Sequence, residues 1–159
     1  MSDVQVMIDI HWHLAAPREA VYRAFIDEEQ VAVWFGPHGG WVMPGTVSID
    51  ARPGGHRRLT MVTYSGAMTW SIETTFSEVI ENQRLAGHEK IIGIPGFEGV
   101  DHLTVGLDFF DEAGGTRIEL RSGPCPPEME APSREFWLQS FSKLDAFLTA
   151  RANEQRSGG

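Results

Sequence analysis

The stretch that decides the fold is PSREFWLQSFSKLDAFLTAR, residues 132–151. Within it, Trp137, Phe141, Leu144 and Leu148 follow one another at steps of four, three and four residues. This spacing predicts a helix of about five turns with one wide apolar face. A face so rich in aromatic rings has to pack against a large partner, and nearly everything before it has the pattern of strands. The sequence therefore predicts a sheet packed on a long C-terminal helix.

The rest of the chain is predicted to form one strand, two short helices and about six further strands. Residues 4–14 alternate between apolar and polar side chains, which is typical of a strand with one buried face. The period becomes helical over residues 17–26 and 27–35. The later strands are predicted at residues 46–51, 56–64, 68–80, 84–92, 102–111 and 116–122. Strands joined in this way form an antiparallel sheet, so the predicted fold class is α+β.

Two turns in the strand region have a recognisable chemistry. Pro53 and Gly54 occupy the two central positions that a type II turn favours. The last hairpin is predicted to turn at Gly114 and Gly115, which tolerate the positive φ angles of a tight turn.

Length, charge and cysteine content limit the classes of function. With 159 residues and an ordinary composition, we expect a single domain at residues 1–151 and a frayed tail at 152–159. The formal net charge of −9 disfavours binding to nucleic acid or to an anionic membrane. The single cysteine, Cys125, lies among prolines and is interpreted as a loop thiol. With no signal peptide and no spanning run in the sequence, we expect a soluble, cytoplasmic protein.

Several short segments carry a resemblance to a known family. They are APREAVYRAF (16–25), WFGP (34–37), RPGG (52–55), EVIENQRL (78–85), GTRIEL (115–120), and Trp137 ahead of Leu144 in the last helix. In this order and spacing, the chain resembles the START-like helix-grip superfamily, also called SRPBCC. Within it, the chain is similar to the family named for the C-terminal domain of the heat-shock-protein-90 ATPase activator, in its bacterial single-domain form.

The resemblance implies a helix-grip fold, in which a curved antiparallel sheet wraps on the long C-terminal helix. It also implies a cavity between the two, which members of the superfamily often use for lipophilic or aromatic small molecules. The family has no shared catalytic residues to carry over. Its eukaryotic co-chaperones have a separate N-terminal domain for which this chain has no room, and this argues against a chaperone-activating role.

A charged pair stands out inside the predicted sheet. If Leu59 and Met61 point into the core, the period of two turns Arg57 inward as well. The same reasoning on the strand at residues 84–92 turns Glu89 inward. Buried charges have to pair with each other or with something else, so an internal ion pair, ligand recognition and catalysis all stay open. We hypothesise that the two residues anchor a carboxylate ligand, so that Arg57→Ala should weaken its binding and leave the fold intact.

The predicted pocket adds apolar side chains to that pair. The predicted ligand-binding residues are Arg57, Met61, Trp70, Ile72, Glu89, Leu107, Phe109, Trp137, Phe141 and Leu144. Residues 93–101 are rich in glycine, lack periodicity and are interpreted as a lid.

The sequence contains no motif for a nucleophile elbow, a phosphate loop, a dinucleotide site or a zinc protease. His11 and His13 share one strand face, but that face is the polar one and no third metal ligand lies nearby in sequence. We therefore predict no catalytic residue, no metal and no cofactor.

These observations favour a protein that binds a small lipophilic or aromatic molecule in the cavity. Two alternatives remain. One is an enzyme of the cyclase or dehydratase type, with a histidine or glutamate in the pocket as general base. The other is a protein-interaction or co-chaperone-like module, with a homodimer as one form of it.

Overall fold

The first three elements follow the changes of period in the sequence. In a computed structural model that describes residues 4–97, 100 and 103–157, β1 spans Val6–Leu14, α1 spans Arg18–Ile26 and α2 spans Glu28–Trp34. Pro17 is the residue that precedes α1, not its first helical residue. The predicted strand and helices are confirmed, with ends that shift by one or two residues.

Asp27 separates α1 from α2 and caps the second helix. Its backbone is extended, and its Oδ1 accepts hydrogen bonds from the backbone N–H groups of Glu29 at 2.9 Å and Gln30 at 3.4 Å. The first N–H groups of a helix have no partner within the helix, so a carboxylate at this position satisfies donors that would otherwise stay unpaired.

Replacing this cap should destabilise the protein measurably. We expect Asp27→Ala to lower the free energy of unfolding by about 1 kcal/mol, because the N–H groups of α2 lose their acceptor. Asp27→Asn keeps a side-chain oxygen and should stay close to the original protein. Urea unfolding of the three proteins checks this, and equal losses in both variants would show that the carboxylate acts in some way other than capping.

Within the residues that the structure describes, seven strands follow the helices, one more than predicted. They are β2 (Gly40–Val42), β3 (Ser48–Ile49), β4 (His56–Thr63), β5 (Thr69–Ile80), β6 (Arg84–Ile92), β7 (Leu103–Glu112) and β8 (Gly115–Cys125). The sheet has the order β1-β8-β7-β6-β5-β4-β2, with β3 beside β4, and all its pairs are antiparallel. The additional strand, β2, has three residues, which is too short for a period of two to be visible in sequence.

Of the two predicted turns, the first is confirmed and the second is wrong by one residue. Gly54 has φ +84°, and the N–H of Gly55 donates to the carbonyl of Arg52 at 2.7 Å, as a type II turn requires. In the last hairpin, Gly115 pairs with Glu112, so the two central residues lie between them, at Ala113 and Gly114.

The reason for that one-residue shift lies in the packing around Gly115. A Cβ at Gly115 would collide with the backbone carbonyl of Leu14, so the glycine is needed for a close approach between strands. The turn is then made by Ala113 and Gly114 with φ of +46° and +80°, the pattern of a type I′ turn.

The last helix is longer than predicted at both ends. A 3₁₀ turn at Pro127–Met129 leads into α3, which spans Glu130–Ser157. Pro132 lies in its first turn, where a missing N–H costs no helical hydrogen bond. The predicted end at Arg151 is wrong, because residues 152–157 continue the helix and contain neither glycine nor proline. Residues 158–159 lie outside the described part of the chain.

The apolar face of α3 packs against the inside of the curled sheet. Trp137, Phe141, Leu144 and Leu148 are all buried. The ring of Phe141 lies 6.1 Å from that of Trp12 on β1 and 5.7 Å from that of Trp137, centroid to centroid. The α+β helix-grip architecture is therefore confirmed. Within the part of the chain that the structure describes, no helix combines the length and apolar character that crossing a membrane requires.

Candidate functional site

A cavity of about 130 Å³ lies between the inner face of the sheet and the beginning of α3. Strand residues form one wall, residues after β6 form a second, and the turn before α3 with its first turns forms the third. The lining residues are Ile8, Trp70, Ile72, Glu89, Ile91, Leu103, Ser122, Gly123 and Cys125 from the strands, Ile94 and Phe97 after β6, and Met129, Pro132, Ser133, Phe136 and Trp137. The walls are therefore mostly apolar.

Strand register explains why these side chains meet. Ile72 on β5 pairs with Ile91 on β6, and Glu89 on β6 pairs with Leu103 on β7. Directly paired residues in antiparallel strands point to the same face. The inner face of three adjacent strands thus forms a continuous wall, and α3 covers it.

Arg57 and Glu89 form a buried ion pair beside this wall. Thr74 on β5 pairs with Arg57 on β4 and with Glu89 on β6, so the three residues form a row across the sheet. Arg57 Nη2 donates to Glu89 Oε2 at 3.1 Å, and Thr74 Oγ1 donates to the same oxygen at 3.0 Å. The exposed fraction of both charged side chains is 4%. The predicted inward direction of Arg57 and Glu89 is therefore confirmed, and they pair with each other.

The surroundings of Arg57 leave part of its guanidinium without a partner. Its Cζ lies 4.9 Å from the ring centroid of Phe35, in the geometry of a cation–π contact. Its Nε is buried and has no hydrogen-bond partner among the described residues. Burial lowers the pKa of Arg57, and the carboxylate of Glu89 acts in the opposite direction.

The cavity meets this pair only from the glutamate side. Glu89 is a lining residue and Arg57 is not. Both hydrogen bonds to Glu89 use Oε2, and Oε1 has no partner among the residues that the structure describes. Glu89 is also the one charged side chain among the described residues that line the cavity. The charge presented to the cavity is therefore negative.

Further polar side chains border the cavity, among them Ser122, Cys125, Ser133 and Trp70. Ser122 and Cys125 belong to β8, and Cys125 is the last residue of that strand and is 1% exposed. The expectation of a loop thiol is therefore wrong, because β8 continues through Pro124 to Cys125. Burial raises the pKa of the Cys125 thiol, and Glu130 and Glu128 raise it further. The indole N–H of Trp70 is buried without a partner within the described chain.

The predicted ligand-binding residues divide into two groups. Trp70, Ile72, Glu89 and Trp137 line the cavity. Arg57, Met61, Leu107, Phe109, Phe141 and Leu144 are buried in the core and do not line it.

The short helices explain this division. The rings of Tyr22 and Phe25 on α1 each lie 5.6 Å from the ring of Phe109. The ring centroid of Phe35, just after α2, lies 5.9 Å from that of Trp137. Side chains of this segment therefore fill one end of the space between sheet and helix, and the cavity remains at the other end, near the start of α3.

Sequence reasoning missed the lining residues on β1, Ile91 on β6, Leu103 on β7, those at the end of β8, and those at the start of α3 other than Trp137. Ile8 and Leu103 belong to alternating apolar faces, so their inward direction was available as a signal. Met129 had no such signal, because the sequence predicts a loop for the segment before residue 132. Of the predicted lid at 93–101, Ile94 and Phe97 line the cavity, and residues 98, 99 and 101 lie outside the described part of the chain.

Histidines and metal ligands are not gathered at this site. Across the described ranges, no group of three His, Cys, Asp or Glu side chains is placed to hold a metal ion. His11 lies on the outer face of the sheet, 3.7 Å from Glu119 and 65% exposed, and His13 is exposed as well. No histidine in the described part of the chain lines the cavity.

Comparisons with known proteins agree on the architecture. A family model, described as activator of Hsp90 ATPase homolog 1-like protein, matches residues 15–149. Among solved structures, a Chromobacterium violaceum protein shares 23% identity, covers 89% of this chain and 96% of its own, and superposes with a TM-score of 0.77. The AHSA1 protein of Silicibacter pomeroyi shares 20% identity. The match covers 92% of this chain and 99% of that one, with a TM-score of 0.77.

A third similar structure is larger. DynU16, encoded in the dynemicin biosynthetic locus, shares 20% identity and a TM-score of 0.67, and the match covers 90% of this chain but 47% of that one. At these identities the likeness concerns the fold alone. No curated protein sequence matches the chain significantly.

Proposed function

Because the chain belongs to the family of activator of Hsp90 ATPase homolog 1-like proteins, whose fold often holds ligands, we propose that it binds a small lipophilic or aromatic molecule. The binding site is the cavity between the sheet and the start of α3. The observation that carries this proposal is a cavity bordered by apolar and aromatic side chains beside the buried core.

The walls of the cavity suit an apolar guest. Trp70 lies on the sheet side, and Phe136 and Trp137 lie on the helix side, so a ring between them would contact aromatic surfaces on both. Ile72 and Leu103 complete the apolar wall. Removing apolar surface from water contributes about 25 cal/mol per Å² to the affinity of such a guest.

The volume limits the size of the guest. An engineered apolar cavity of about 150 Å³ in another protein binds benzene, whereas drug-sized ligands occupy about 300–1,000 Å³. At about 130 Å³, this cavity suits a molecule with a single ring or a short aliphatic chain.

The polar groups of the cavity support binding over catalysis. A cyclase or dehydratase needs a general acid and a general base within reach of the substrate. Glu89 is held by Arg57 and Thr74 on one oxygen, and the described lining contains no histidine. A binding role requires these residues only to orient the guest, whereas a cyclase or dehydratase role would require them to transfer protons.

A probe molecule and a pair of isoleucine variants test the proposal. Isothermal titration calorimetry with toluene should give saturable binding to the original protein. Ile94→Trp should weaken that binding by about tenfold or more, because the larger side chain takes up space in the cavity. Ile92→Trp is the matched control, since Ile92 is 45% exposed and does not line the cavity. Equal affinities in both variants, or no binding of toluene at all, would contradict the proposed site.

A further inference from the structure

We propose that the cavity prefers neutral ligands that carry one hydrogen-bond donor, such as a phenol or a small alcohol, to carboxylates and amines of the same size. This inference rests on the proposed function and specifies the chemistry of the ligand. It reverses the expectation of a carboxylate ligand, which assumed that Arg57 would face the guest.

Glu89 borders the cavity with a carboxylate whose two oxygens differ in their hydrogen bonds. Its Oε2 already accepts from Arg57 at 3.1 Å and from Thr74 at 3.0 Å. Its Oε1 has no partner within the described chain, although the residue is 7% exposed and borders the cavity. A carboxylate oxygen accepts hydrogen bonds and donates none. A guest that brings an O–H or N–H donor therefore satisfies an acceptor that an apolar guest leaves unpaired.

The charge of the guest also affects its binding beside the buried Arg57–Glu89 pair. Arg57 and Glu89 together are neutral, and both are buried. An anionic guest would place a second negative charge beside Glu89, on the side away from Arg57, and a cationic guest would leave the three buried charges with a net charge of plus one. Burial of an uncompensated charge is costly in either case. A neutral donor gains the hydrogen bond without this cost.

The described lining also lacks a cation. Glu89 is its one charged side chain, so a carboxylate guest finds no positive partner there, whereas a hydroxyl finds an acceptor at Glu89.

Four probes of similar size separate these possibilities: toluene, phenol, benzoate and benzylamine, the last two charged at neutral pH. Calorimetric titration of the full chain should show phenol binding about tenfold more tightly than toluene, as one net hydrogen bond to a charged acceptor allows. Benzoate and benzylamine should bind about tenfold more weakly than toluene or worse.

A double variant assigns the preference to the charged pair. Arg57→Met with Glu89→Leu replaces both charges by apolar side chains, so toluene should still bind and phenol should lose its advantage over toluene. The matched control, Arg84→Met with Asp108→Leu, removes a partly exposed pair outside the cavity and should keep the preference for phenol.

The outcomes distinguish the two proposals. If toluene binds but benzoate binds as tightly as phenol, the preference for a neutral donor is wrong and the cavity remains a binding site. If phenol keeps its advantage in the Arg57→Met, Glu89→Leu protein, Glu89 is not the acceptor. If none of the four probes binds, the proposed function fails, and this inference fails with it. Should the double variant not fold, the order of the four affinities in the original protein decides.

Discussion

Arg57→Met is expected to lower the free energy of unfolding by about 3–5 kcal/mol, the loss typical of removing one partner from a buried ion pair. The substitution leaves the buried carboxyl group of Glu89 without its cationic partner, and Thr74 is its one remaining hydrogen-bond partner among the described residues. Because both charged side chains are 4% exposed, water cannot replace the lost guanidinium without entering the core. Urea unfolding monitored by tryptophan fluorescence measures the difference.

A surface pair provides the matched control. Arg52 Nε lies 2.8 Å from Asp50 Oδ2, but the two side chains are 74% and 40% exposed. Arg52→Met should therefore leave the free energy of unfolding almost unchanged, because exposed pairs contribute little.

The double variant Arg57→Met, Glu89→Leu should recover most of the stability lost in Arg57→Met, since it leaves no buried charge unpaired. If Arg57→Met were as stable as the original protein and lost only ligand binding, the earlier hypothesis of a carboxylate anchor with an intact fold would be correct. If the double variant were less stable than the single one, the pair would contribute more through its contacts than through mutual neutralisation.

Phe141→Ala is the other substitution with a large expected effect, a loss of about 3–5 kcal/mol in the free energy of unfolding. Phe141 is fully buried at the centre of the apolar face of α3, between Trp12 of the sheet and Trp137 of the same helix. Its removal leaves a void that two large, rigid indole rings cannot readily fill. The loss therefore includes both the transfer of the ring from the core and the cost of the cavity.

The control for this prediction changes the same residue type at the surface. Phe110 is 40% exposed, and Arg117 Cζ lies 4.7 Å from the centroid of its ring. Phe110→Ala should lose less than about 1 kcal/mol, because an exposed cation–π contact is weak. Chemical unfolding under identical conditions compares the two. Similar losses in both variants would mean that the stability of the fold does not depend on burial along α3.

Some features of the candidate site could be predicted from sequence because they depend on local geometry. A period of two turned Arg57 and Glu89 to the inner face, and the structure places both there. The steps of four and three placed Trp137, Phe141 and Leu144 on one helix face, and all three are buried. Each of these predictions needs only the repeat of a strand or a helix.

Other features needed the packed chain. Period two places Glu89 inside, but the partners on neighbouring strands decide that Oε2 meets Arg57 and Thr74. The length of α3 depended on residues with no apolar pattern, at 130–131 and 152–157. The strand register beyond Ser122, which buries Cys125, depended on pairing with β1 at Val6.

The alternation of the strands and the apolar stripe of the last helix were enough to determine that a sheet encloses a helix and which face of each points inward. The sequence by itself did not determine where that interior stays open. Tyr22 and Phe25 fill one end of it from a helix far away in sequence, and the turn before α3 borders the cavity at the other end. The physical reason is that the direction of a side chain depends on the local repeat of its strand or helix, which a few neighbouring residues define. A cavity depends on the packing of all the elements around it, which are distant from one another in sequence.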